Sequence, residues 1–237
     1  MIKSIIKSLF NYMGIQIRRG KIRDSFEDQA ILLKTDEASV IFDIGAHTGT
    51  ITEKYKKLFP KATIYCFEPF PDSFKKLQQK ASALDKVKPF QLALCDRIGK
   101  SKFHINFYSS CNSLLPRPSK GKCYYDEKAK NIDTIEVNTT TIDDFCNEHS
   151  ISNINILKLD VEGAELLVMK GALEKLNQKL IDLIYTEVMF VPHYENGVLF
   201  HDLCNFLSNL GYSVFDVYDL KRAENGQLRW GNAIFVS

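Results

Sequence analysis

The amino-acid sequence predicts an α/β protein built on a doubly wound, mostly parallel sheet. Three observations carry that expectation. Apolar runs such as "SVIFDIG" and "ATIYCFEP" show no in–out alternation, as strands buried on both faces require. Helical patterns of about ten to fifteen residues stand between such runs, so strand, helix and strand recur as βαβ units. Near the end, "YSVFDVYD" and "WGNAIFVS" flank a polar loop holding Asn225 and Gly226, which predicts an antiparallel closing pair.

Taken in order, Ser25 with Asp28 reads as a capping box that opens a helix through "FEDQAILLK". "SVIFDIG" is the first strand, "TITEKYKKLF" a helix halted by Pro60, and "ATIYCFEP" the second strand. "DSFKKLQQKASAL" places Phe74, Leu77, Ala81 and Leu84 on one helical side, and "VKPFQLALCD" reads as a third strand. The alternation breaks between Asp96 and Asn138, where "KSKFHINFY" reads as an edge strand followed by a long polar loop. Thr141 with Asp144 forms a further capping box ahead of "IDDFCNE". The pattern resumes with "INILKLDVEGAE" running into the helix "ELLVMKGALEKL", then the strand "LIDLIYTEVMF" and the helix "FHDLCNFLSNLG". The count is about five parallel strands plus the terminal hairpin.

A chain of 237 residues with 45% apolar and 25% charged residues supports one large domain, from about residue 24 to the end, with an insert near 97–138. The net charge of +2 argues against a dedicated nucleic-acid binder. Six cysteines include no C-x-x-C pair, which points to reduced thiols in an intracellular, cytoplasmic protein. Residues 1–23 read as a basic amphipathic helix, with Ile2, Ile5, Ile6, Leu9, Phe10 and Met13 on one side. That stripe suits packing on the domain, or on a second copy in a homo-oligomer, better than peripheral attachment to an anionic membrane. No run reaches the roughly 18 apolar residues of a membrane span.

Ligands of open α/β sheets sit at the carboxyl ends of strands, where the winding reverses. The first strand ends in Asp43, Gly45, Ala46, His47 and Gly49. Gly45 lets the backbone turn and a ligand approach, and Gly49 lets the next helix pack. The second strand ends at Glu68, 25 positions beyond Asp43 by subtraction, where an acidic residue accepts hydrogen bonds from a ribose. A dinucleotide site calls for G-x-G-x-x-G facing a pyrophosphate. Here His47 takes the middle position and Asp43 stands upstream, a charge that suits a cation. S-adenosylmethionine carries a sulfonium and an ammonium and no phosphate.

"VIFDIGAHTGT", "IYCFEPFPDSF", "LALCDRIGK", "TTIDDF", "ILKLDVEGAELLVMKGA", "YTEV" and "NAIFV" resemble, in order and spacing, the FkbM family of S-adenosylmethionine-dependent methyltransferases. The resemblance spans about residues 24 to 237, and "KLDVEGAE" is its most family-specific block. It implies a Rossmann-like seven-stranded sheet with an antiparallel last strand, and O-methylation of sugars, glycans or natural products. Carried over, Asp43, Gly45, Ala46 and His47 line the methionine end, and Glu68 holds the ribose beside Pro69 and Phe70. Leu94, Cys95 and Asp96 lie at the adenine. His47 departs from the asparagine more usual in the family; it keeps a hydrogen-bonding function and adds a proton acceptor.

An alcohol acceptor must lose its proton, to a base or under the influence of a metal. Asp160, Glu162 and Glu165 follow the fourth strand, and Glu187 ends the fifth, with His193 beyond it. Asp160 is the expected general base, with His47 or His193 as helpers. Asp160 and Glu187 holding Mg²⁺ is the alternative, since carboxylates alone do not establish a metal. Lys158 shares a strand face with Asp160 inside an apolar run and is expected to form an ion pair with one of these four carboxylates. The insert carries Arg97, Lys100, Lys102, Arg117, Lys120, Lys122, Lys128 and Lys130, which would attract an anionic acceptor if they are not simply solvated. Asn112 and Ser113 are candidates to reach the ligands, and Tyr124 and Tyr125 to stack on a sugar. Two other classes make different demands. A nicotinamide oxidoreductase predicts G-x-G-x-x-G and a Tyr-x-x-x-Lys pair, and a non-catalytic binding module predicts loss of Glu68 or of the Asp160 cluster.

Overall fold

The computed structural model describes residues 24–33, 38–118 and 131–237. The expected basic helix at 1–23 and Lys120, Lys122, Cys123, Tyr124, Tyr125, Lys128 and Lys130 lie outside them. The chain runs α1 (Ser25–Leu33), β1 (Val40–Ile44), α2 (Thr50–Leu58), β2 (Thr63–Phe67), α3 (Pro71–Ala81), β3 (Val87–Phe90), β4 (Ala93–Leu94) and β5 (Gly99–Asn106). It continues through β6 (Asn131–Thr140), α4 (Ile142–Glu148), β7 (Ile154–Leu159), α5 (Glu165–Lys170), α6 (Leu173–Asn177), β8 (Ile181–Met189), α7 (Phe200–Asn209), β9 (Ser213–Arg222) and β10 (Leu228–Val236).

Seven strands form one sheet in the order β3-β2-β1-β7-β8-β10-β9. β1 pairs in parallel with both β2 and β7, and β10 runs antiparallel to β8 and β9. The doubly wound sheet with an antiparallel closing strand is therefore present as the sequence predicts. Its winding reverses between β1 and β7, the place where this architecture leaves a crevice.

Residue parity on the central strands decides which side each residue packs. Phe42 and Ile44 enter one buried cluster with Phe67, Phe145 and Leu157, while Ile41 enters another with Tyr55, Phe59 and Ile64. Both faces of β1 are thus core, which is why its sequence lacks alternation. Each fully buried aromatic or branched side chain contributes about 1.5–3 kcal/mol by leaving water.

Four local expectations are corrected. α1 is capped by Asp24, whose Oδ1 accepts from Phe26 N and Glu27 N; Ser25 instead donates to the Tyr185 hydroxyl and Asp28 accepts from Tyr218. "VKPFQLALCD" is two strands, because β3 stays on the main sheet and β4 leaves it for a three-stranded sheet ordered β4-β6-β5. The insert is therefore more than an edge strand and a loop: β5 pairs antiparallel with β6, from Gly99 opposite Thr139 to Asn106 opposite Asn131. The helix after β7 is broken in two, since the Asp143 carboxylate accepts from Glu174 N and Lys175 N and caps a fresh start at α6. Thr141 caps α4 as expected, its Oγ1 accepting from Asp144 N at 3.0 Å, while the Asp144 carboxylate accepts from the same hydroxyl at 2.6 Å. Among the described residues, five cysteines carry free thiols, and no helix is long and apolar enough to cross a membrane.

Candidate active site

At the carboxyl end of β1 the backbone turns left-handed at Gly45, with φ 72°. A Cβ there would lie 1.8 Å from the Asp160 carbonyl oxygen, so only glycine lets the ends of β1 and β7 meet. Gly45 N and Ala46 N both donate to Phe67 O, which ties this corner to β2. His47 follows at φ 49°; its N–H donates to Glu68 Oε2 at 2.9 Å, and its Nε2 lies 2.9 Å from Ser109 Oγ. Phe70 N donates to Glu68 Oε1 at 2.8 Å. Burial raises the Glu68 carboxyl to about 7, against the pull of those two amides.

Beneath the turn, Lys158 and Asp43 form a buried ion pair, Nζ to Oδ1 2.8 Å. Lys158 Nζ also donates to Gly45 O at 2.9 Å and lies 3.8 Å from Asp160 Oδ2. Burial opposes its charge, yet Asp43 and then Asp160 more than offset it, and the net shift is upward. Thr52 Oγ1 donates to Asp43 Oδ2 at 2.6 Å. Of the four carboxylates expected to pair with the lysine, Asp160 does so at 3.8 Å, and the closer partner is Asp43, which was not among them.

Above this floor lies a cleft of about 930 Å³, its open mouth included. Of the residues named from sequence, Gly45, Ala46, His47, Glu68, Pro69, Leu94, Asp160 and Glu162 line it. Its apolar side is formed by Phe67, Leu92, Leu94, Phe103 and Leu114.

Of the other named residues among those described, Lys158 and Asn112 also line the cleft, and the rest stand outside it. Asp43 is wholly buried and neutralised by Lys158, so its charge does not face the cleft as the sequence suggested. Gly49 begins α2, facing Leu77 and Lys80 of α3, in keeping with its packing role. Phe70 contributes its amide to Glu68 while its side chain packs against the small apolar cluster of Ala93, Phe103, Ile105 and Val137. Cys95 is buried, and the Asp96 carboxylate accepts from Arg97 Nε rather than facing an adenine. Glu165 is buried and accepts from Val161 N and Gly163 N, which makes it a brace for the turn after β7.

Glu187 lies off the cleft but joins Asp160 and Glu162, one carboxylate oxygen from each falling within 4.8 Å of the others. Glu187 Oε2 is buried without a hydrogen-bond partner. Burial, then Asp160, raises Glu162 to about 8, and burial followed by Glu162 and Asp160 raises Glu187 well above the carboxylate range. Burial and the arginines at 229 and 117 lower His193 to about 4, which leaves a neutral imidazole. Sequence reasoning missed the wall built by Ser109, Ser110 and Leu114, along with Tyr194; Asn112 had been named and does line the cleft. The turn that carries the serines is distant in sequence and has no spacing signature. Arg117 stacks on Tyr194 and is buried, so it is not part of a solvated basic loop.

A family model described as "Methyltransferase FkbM domain" matches residues 43–214. The chain is 30% identical over 173 residues to the 2-O-methyltransferase NoeI of Sinorhizobium fredii, covering 70% of each chain. It is 26% identical over 171 residues to the hexuronic acid methyltransferase AglP of Haloferax volcanii, covering 69% of this chain and 65% of that one. Among solved structures, the methyltransferase FkbM from Methylobacillus flagellatus superposes with a TM-score of 0.54 at 14% identity, over 84% of this chain and 44% of that one.

Proposed function

This chain belongs to the FkbM methyltransferase family, and on that premise we propose that it transfers the methyl group of S-adenosylmethionine to a hydroxyl of a sugar, glycan or small hydroxylated metabolite. The observation that carries the reading is the cleft at the reversal point of the sheet, with Glu68 on one side and Asp160 and Glu162 on the other. Glu68 holds the ribose. The turn from Gly45 to His47 and the Asp160 carboxylate take the methionine end, and Pro69, Leu92 and Leu94 cover the adenine. Asp160 supplies negative charge for the cation, joined by Glu162 where the bound cation favours its ionised form, because Asp43 is already paired. The sugar acceptor is supported by the relatives named for 2-O- and hexuronic acid methylation.

Transfer breaks the sulfonium C–S bond, forms an O–CH₃ bond in line, and releases the hydroxyl proton. The protein's part is alignment, exclusion of water and acceptance of that proton. Asp160 is the base: it lines the cleft and its side chain is 47% exposed, so an acceptor can reach it. Glu162 and Glu187 crowd it from the protein side. Three carboxylates so close do not all stay ionised without a counter-charge.

That crowding supports a second reading, in which a divalent cation neutralises the group. The donor set fits one: one oxygen from each of three carboxylates falls within 4.8 Å of the others, and Glu187 carries a buried oxygen, Oε2, without a hydrogen-bond partner. Asp160, Glu162 and Glu187 would hold it, and its chemistry would be to lower the pKa of an acceptor hydroxyl. Incubation with S-adenosylmethionine labelled in the methyl group and fractionated saccharide acceptors tests both readings. Label should enter an alkali-stable ether. Insensitivity to EDTA supports the base alone, loss with EDTA and recovery with Mg²⁺ supports the metal, and no labelled saccharide or hydroxylated metabolite contradicts the proposal.

A further inference from the structure

Glu162 is an awkward residue to place. Its backbone is left-handed, φ 56°, a conformation that L side chains rarely adopt and that something must hold. Its carbonyl accepts from Ser113 Oγ at 2.8 Å. Its carboxylate Oε2 lies 2.6 Å from the Tyr194 hydroxyl. The next residue, Gly163, lies so close to the Tyr194 ring that a Cβ would sit 2.8 Å from Cδ2. The turn after β7 is moulded on this one tyrosine.

Tyr194 is itself fixed from several directions. It is 1% exposed. Arg117 Nη2 donates to its hydroxyl at 2.8 Å while the guanidinium stacks on its ring, 4.4 Å from the centroid. Cys111 O lies 3.0 Å from the same hydroxyl, and Glu195 N donates to Pro116 O at 2.9 Å, which ties the tyrosine's loop to the insert. The phenol has one proton. With Arg117 donating to its oxygen, that proton goes to an acceptor, and the shorter contact is to Glu162.

We infer that Tyr194 is a positioning residue for this enzyme. It receives a hydrogen bond from Arg117 and passes one to Glu162, so that the Glu162 carboxylate is held in the cleft wall where the cationic end of the cofactor binds. The inference rests on the reading of the cleft as an S-adenosylmethionine site. It assigns Tyr194 no contact with the ligand; its effect passes through Glu162, whereas a purely packing role would act independently of that side chain.

A double-mutant cycle read by calorimetric titration with S-adenosylmethionine tests this. Tyr194→Phe keeps the ring and should weaken binding about tenfold. Glu162→Gln should weaken it at least as much, and the double variant should match Glu162→Gln to within about twofold. The inference is overturned if Tyr194→Phe binds like the unaltered protein, or if it weakens binding by the same factor in the Glu162→Gln background. Should Tyr194→Phe not fold, Arg117→Gln enters the same cycle from the other side of the hydroxyl. An unaltered protein that takes up no S-adenosylmethionine removes the cofactor reading and this inference with it, whereas uptake with an additive cycle removes only the inference.

Discussion

Replacing Lys158 with methionine is expected to destabilise the protein by about 3–5 kcal/mol, because it leaves Asp43 charged, buried and without its counter-ion. For a chain of this size that corresponds to a fall in melting temperature of roughly 6–20 °C. The double substitution Lys158→Met with Asp43→Asn removes both charges and should recover more than half of the loss, since the amide still accepts from Thr52. Calorimetric melts of the two variants decide it. A Lys158→Met protein that melts with the parent would show that the pair beneath the Gly45 turn is incidental. The effect should extend to the cleft, because Lys158 Nζ also holds the Gly45 carbonyl.

The second large effect concerns turnover. Asp160→Asn should lower methyl transfer by about 10²–10⁴-fold, the usual contribution of a positioned base. S-adenosylmethionine affinity should fall less than about tenfold, because Glu162 and Glu68 still face the cleft. The split between turnover and affinity is the signature of a group that acts on the acceptor's proton. The assay follows label into whichever acceptor fraction the unaltered protein methylates. Unchanged turnover would clear Asp160 of the role and leave Glu162 as the nearest carboxylate in the cleft wall.

Much of this was legible from the sequence for identifiable reasons. The non-alternating runs at β1, β2 and β7 predict two-sided burial, and Ile41 and Phe42 do pack into different clusters. Gly45, His47 and Glu68 could be named because a strand end, a tight turn and an acidic residue at a fixed interval are local features. Asp43 shows where that reasoning stops. Its charge and place were correct, but its direction depends on Lys158, which lies 115 positions away by subtraction and meets it only through the parallel pairing of β1 with β7.

The insert failed for another reason. β6 is half-exposed and polar, so the alternation of Ile135 and Val137 with Glu136 was too short to stand out from a loop. Asp96 follows β4, which pairs with β6 and not with the main sheet, a departure that no local pattern in "VKPFQLALCD" announces. Tyr194 and Arg117 carry no motif, and their importance comes from a single hydroxyl where three separate segments of chain converge.

The cleft between Glu68 and Asp160 is expected to accept a cationic adenosine derivative. Isothermal titration of the unaltered protein with S-adenosylmethionine, and separately with NAD, tests this most directly. One equivalent of S-adenosylmethionine should bind per chain and NAD should produce no saturable heat. Saturable NAD binding with none for S-adenosylmethionine would contradict the account.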